Sequence, residues 1–108
     1  MPDWLGEFEQ LVMFAVLHLA PESYGMTVRH NIEDRTGRAV SAGAVYTTLD
    51  RLERRGLVKS SWGEATAVRG GKRKRHYVLT PAGHEALARA WDAVRIMARA
   101  AAPKLERP

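Results

Sequence analysis

The side chains best equipped for chemistry in this 108-residue chain are cationic, and they cluster. Arg51 and Arg54 are spaced by three, and Arg69, Lys72, Arg73, Lys74 and Arg75 crowd a short segment that contains Gly70-Gly71. Guanidinium groups bind phosphate oxygens or make bidentate contacts to guanine, and glycines let a backbone approach a sugar-phosphate surface. Residues 41–80 carry nine Lys/Arg against three acids, whereas residues 1–40 carry three Arg against six acids. A basic middle beside an acidic start predicts one face built for a polyanion.

Other chemistries lack their residues. His18, His30, His76 and His84 show neither an HxxxH nor an HExxH spacing, and the absence of cysteine excludes disulfides and thiolate metal sites. There is no phosphate-cradling glycine loop, no nucleophile elbow and no clustered carboxylate pair; Glu33, Asp34, Asp50 and Glu53 read as surface charges. The chain therefore reads as a non-enzyme without a cofactor. With 45% hydrophobic and 27% charged residues it reads as a single globular domain. It has no apolar run of about 18 residues, so no membrane span is expected. Acidic Asp3, Glu7 and Glu9 stand where a secretory leader needs basic residues, so a cytoplasmic location is expected.

The cations need elements to position them, and the apolar spacing supplies these. Phe8, Leu11, Val12, Ala15 and Leu19 recur at helical intervals, which predicts a helix over Glu7–Leu19. Phe14, Val16 and Leu17 make it apolar nearly all round, which points to a partner chain. A second helix is expected from Gly25 to Arg35, with Val28 and Ile32 inward and Gly37 as its stop. Ser41 is a good N-cap for a third, Ala42 to Arg55, ended by Gly56. Its apolar stripe is Val45, Leu49 and Leu52. The opposite face carries Gly43, Ala44, Thr47, Arg51 and Arg54, with Tyr46 at the edge. Leu57–Trp62 and Lys74–Leu79 read as two strands flanking a basic wing, and Trp62 and Tyr77 read as sheet packing. Thr80-Pro81 supplies a cap and a first-turn proline for a last helix, Pro81 to Ala101. Its apolar face is Leu87, Trp91, Val94 and Ala98.

Helix, turn, helix and basic hairpin in this order predict a mainly α, winged helix-turn-helix fold: three N-terminal helices, a two-stranded wing and a C-terminal dimerisation helix. Residues 1–80 would form the winged helix-turn-helix and residues 81–108 the dimerisation helix, within one structural unit. The expected contacts to double-stranded DNA are Ser41, Gly43, Ala44, Tyr46, Thr47, Arg51, Arg54, Lys72, Arg73, Lys74 and Arg75. The expected homodimer interface is Phe8, Leu11, Val12, Leu87, Trp91, Val94 and Ala98. Trp4, Trp91 and Val94 would line a seam able to stack on a small aromatic molecule, or would simply pack the dimer. A winged-helix protein-interaction module and a small-molecule binder are the alternative readings.

Several of these segments resemble the PadR family of transcriptional regulators. The resemblance lies in Tyr24-Gly25, in SAGAVYTTLDRLERRGLV from Ser41 to Val58, in Ser60-Ser61-Trp62, and in KRHYVLTPAG from Lys74 to Gly83. It spans nearly the whole chain and, with a single C-terminal helix, is closest to the family's shorter subgroup. It implies a homodimeric repressor of a pseudopalindromic operator, in some members released by phenolic acids or planar drugs. It also implies that Ser41–Arg55 is the recognition helix, that Lys72–Arg75 belongs to the wing, and that the Trp91 helix crosses the partner's first helix. Thr47 stands where the family commonly has proline, and Trp91 falls about one turn before the family's drug-stacking tryptophan.

Overall fold

The computed structural model describes residues 4–63 and 73–107. Its order is α1 (Glu7–Leu19), α2 (Gly25–Thr36), α3 (Ala42–Arg54), β1 (Val58–Trp62), β2 (Arg75–Leu79) and α4 (Pro81–Ala98), followed by a short 3₁₀ turn at Ala102–Leu105. The strands pair antiparallel, with Val58 opposite Leu79 and Trp62 opposite Arg75. This is the mainly helical winged fold expected from the sequence. Arg69, Gly70, Gly71 and Lys72, expected at the wing, lie outside the described residues.

Local chemistry sets the element ends. The Ser41 hydroxyl accepts the Ala44 amide at 3.0 Å and opens α3. Gly37 and Gly56 adopt left-handed φ values of 71° and 74°, closing α2 and the turn after α3 at little steric cost. The Thr80 hydroxyl accepts the Gly83 amide at 3.0 Å, and Pro81 fills the first turn of α4. Thr80 also ties α4 to the turn before β1: its amide donates to Leu57 O at 3.0 Å and its hydroxyl to Gly56 O at 2.6 Å. A Cβ on Gly83 would overlap that same Leu57 carbonyl, so only glycine lets α4 start this close. The last helix ends at Ala98, one turn short of the expected Ala101.

The core lies between α1, α3 and the sheet. Val12, Met13, Val16, Val28, Val45, Leu49, Leu52 and Val58 are buried, with Leu57, Tyr77, Leu79 and Leu87 at its margin. Central α1 is covered by α2, α3, β2 and α4 of its own chain. This corrects two interface assignments. Val12 and Leu87 are buried within the monomer, because the surrounding helices already take up the inward faces that seemed to demand a partner. Ser23 adds a short link to the sheet: its carbonyl accepts the Tyr77 amide at 2.8 Å, and its buried hydroxyl donates to the Tyr77 carbonyl.

Candidate nucleic-acid interface

Periodicity decides what α3 shows to solvent. Val45, Thr48, Leu49 and Leu52 are buried, so Gly43, Ala44, Tyr46, Thr47, Asp50, Arg51 and Arg54 are left on the outer face. The first turn is nearly bare, and nothing lies within 4 Å of where a Cβ on Gly43 would stand. Cations gather at the other end. Arg54 rests its Nε on the Asp50 carbonyl at 3.4 Å.

Arg51 is not free. Its Nε lies 3.6 Å from Glu9 on α1, and its Nη2 lies 3.5 Å from the Thr48 hydroxyl. The Glu9 carboxylate, only 13% exposed, also receives Arg55 at 3.0 Å and the Gly6 amide at 2.8 Å. One α1 carboxylate thus caps its own helix and holds Arg51 of α3 and Arg55 just after it. From the sequence, Glu9 counted only towards the charge balance and against a basic leader, with no tie to α3 expected. The partner of Glu9 lies 42 or 46 positions away, beyond any local pattern.

The wing is braced in the same way. Arg75 donates to Glu53 at 2.5 Å and to the Ser60 hydroxyl at 2.8 Å, while Ser60 donates to Glu53 at 2.5 Å. Its guanidinium also sits 5.7 Å from the Tyr77 ring centre. The structure therefore places Arg75 in a tie between β2, β1 and α3. Glu53 is the acid end of that tie, not an ordinary surface charge. Arg73 donates to the Gly63 carbonyl at 2.9 Å and extends the hairpin. Lys74 donates to the Tyr24 hydroxyl at 3.1 Å, with its ammonium 4.2 Å from that ring's centre. His76 meets the Tyr24 ring edge-on at 5.5 Å and places Nδ1 2.8 Å from the Pro21 carbonyl. No acid pairs with Lys74 or Arg73 among the described residues.

Between the start of α2, the outer face of α3 and the strands lies a cleft of about 560 Å³. Tyr24, Tyr46, Trp62 and Tyr77 bring aromatic surface to it, and Arg73, Lys74 and Arg75 bring charge. Tyr46 reaches it because residue 25 is glycine: a Cβ there would overlap the tyrosine ring. Its ring therefore packs on α2 while the residue stays 46% exposed. Trp62 corrects another expectation. It is 59% exposed, because its strand's outer end extends past the core. Tyr77 is buried as expected, and burial raises its phenol pKa above the usual 10.0, partly offset by Arg75.

The apolar residues assigned to a dimer or a ligand fall into distinct environments. Phe8, Leu11 and Ala98 are half-buried. Trp91 and Val94 are half exposed, and Ile96 and Met97 beside them more so. Trp91 leans edge-on against Phe14 of its own α1, with centroids 6.3 Å apart. The groove beside it, about 160 Å³, is lined by Phe14, Leu17, His84, Leu87 and Ala88 and includes neither Trp4 nor Val94. Trp4 stands exposed before α1. The three residues expected to form a seam pocket are therefore not gathered into that groove.

A family model described as the transcriptional regulator PadR-like family matches residues 13–89. No curated protein matches. Solved structures are similar across nearly the whole chain. A PadR family transcription regulator from Clostridium difficile is 24% identical, with a TM-score of 0.74, covering 94% of this chain and 100% of that one. A PadR-like transcriptional regulator from Bacillus cereus is 19% identical, with a TM-score of 0.71, covering 94% and 93%. A PadR family transcriptional regulator from Eggerthella lenta is 24% identical, with a TM-score of 0.70, covering 94% and 88%. At these identities the structural likeness concerns the fold.

Proposed function

Because the chain belongs to the PadR-like family of transcriptional regulators, DNA-binding proteins and not enzymes, we propose that it is a homodimeric repressor of a pseudopalindromic operator. The observation that carries this reading is the outer face of α3, with a bare first turn at Gly43 and Ala44 and guanidinium groups one turn apart at its end. Small residues allow a helix to sit deep in a major groove, and Arg54 and Arg51 are then placed for guanine edges or phosphates. Arg73 and Lys74 would hold flanking phosphates. Two such helices would enter successive major grooves about 34 Å apart.

Dimerisation through α4 is supported by shape. The Cα radius of gyration is 15.7 Å, against about 13 Å for a compact chain of this length. The second half of α4 carries Trp91, Val94, Ile96 and Met97 largely outside the core. Apolar surface of this kind on a projecting helix marks an interface. Release by a small aromatic inducer belongs to this reading; such a ligand must favour the DNA-incompetent dimer over the competent one.

Binding to a palindromic fragment from upstream of the gene tests the reading. If a dimer neutralises about six to eight phosphates, log affinity falls against log salt with a slope of about −5 to −7. Arg54→Ala should cost about 1–3 kcal/mol only at sites with the matching base, whereas Arg73→Ala should weaken all duplexes alike. A slope near zero, or equal affinity for every sequence, overturns it.

A further inference from the structure

The cleft beside the recognition helix carries more chemistry than a duplex backbone needs. Trp62 holds a largely exposed indole at its wall, and Tyr24 and Tyr46 add rings from two other elements. Flat aromatic surface brought together from three elements favours a flat ligand, since stacking is insensitive to ring identity. Three cations line the same space against one carboxylate, Asp50. Arg75 is tied to Glu53, which leaves Lys74 and Arg73 to face an anion. The lining also includes the Asp50 carboxylate and the His30 ring, neither engaged in a side-chain hydrogen bond or ion pair among the described residues. A plain aryl acid would cover these groups without pairing them, which disfavours it. A purine base with ring N–H and amino donors would pair with the carboxylate while its phosphate met the lysine and arginine. The volume of about 560 Å³ falls in the range of about 300–1,000 Å³ usual for small-ligand sites.

We propose that this cleft is a binding site for a free guanine mononucleotide, which occupies the DNA-facing surface and excludes the operator by direct competition. The proposal rests on the reading of α3 and the wing as the DNA-binding face. It differs from an inducer in the dimer seam, because ligand and DNA would claim the same Lys74 and Tyr46.

Calorimetric titration of the full chain with GMP, without DNA, is the first test. GMP should bind, and guanosine and inorganic phosphate should each bind much more weakly. Trp62→Ala should weaken GMP binding roughly 5- to 150-fold, as expected for loss of one base-aromatic stack. Asp50→Asn should remove the preference for GMP over IMP, which lacks the amino group. Both side chains are exposed, so the fold should survive, and a melting curve checks this. Operator binding, measured by anisotropy, should then weaken in proportion to GMP without formation of a ternary complex. A chain that binds operator but not millimolar GMP overturns this site and leaves the regulator reading intact. GMP binding that ignores both variants, or that coexists with bound operator, also overturns it. So does a single-stranded guanine-containing oligonucleotide that binds more than about ten-fold tighter than GMP, which would make the cleft a strand site.

Discussion

Gly43→Ala separates fold from function at one methyl group. Gly43 lies in the first turn of α3 with ordinary helical backbone, and no atom stands within 4 Å of the new Cβ. Within the free protein the change only removes glycine's conformational freedom from the unfolded chain. That stabilises by about 0.5–1 kcal/mol. For a domain of this size the melting temperature should rise by about 2–8 °C. On DNA the same methyl meets the groove floor if α3 enters it as proposed. Overpacking a close contact costs about 1–3 kcal/mol, or roughly 5- to 150-fold in affinity for each half-site. Stability and operator affinity should therefore move in opposite directions. Differential scanning calorimetry and fluorescence anisotropy on the same preparation read both. A variant with raised melting temperature and unchanged operator affinity would refute the close approach of α3. A variant that melts lower would refute the open surroundings on which the argument depends.

Glu9→Gln keeps the acceptor for the Gly6 amide but removes the charge facing Arg51 and Arg55. Between exposed and buried ion pairs the expected loss is about 1–3 kcal/mol, seen as a lower denaturation midpoint, while Arg51, released from α1, raises affinity for duplex DNA at low salt. An unchanged midpoint, or affinity falling in step with stability, would count against the tie. Trp91→Glu places a carboxylate in the proposed α4 interface and should shift a micromolar dimer to monomer in sedimentation and abolish operator binding; a variant that stays dimeric removes Trp91 from the interface. Burial raises the pKa of Tyr77, so the folded state holds the phenol proton more tightly than the unfolded state. Its contribution to stability is complete below pH 10.0 and declines as pH rises towards the folded pKa, so Tyr77→Phe should flatten the alkaline arm of a stability-against-pH curve.

What the sequence determined by itself was local. Ser41 and Thr80 are caps, Gly37 and Gly56 are stops, and the Val45-Leu49-Leu52 stripe dictates which side of α3 turns inward. Each of these rests on contacts within a few residues, which a periodic pattern records. The basic middle segment likewise carried, by composition alone, the expectation of a polyanionic partner. Most boundaries moved by a single residue; the largest slip is at the end of α4, where no left-handed glycine stops the helix. The tertiary structure decided everything that joined distant segments. Burial of Val12 and Leu87 depended on how four neighbours pack around α1, and hydrophobicity alone does not distinguish a core from an interface. The ties of Glu9 to Arg51 and Arg55, and of Glu53 to Arg75, pair residues that no periodic rule relates. Gly25 is explained only by the Tyr46 ring lying over it, and Trp62 is exposed because its end of the hairpin runs beyond the core. The cleft exists because three elements, separate in sequence, converge there, and convergence is a property of the packed chain and not of any one segment.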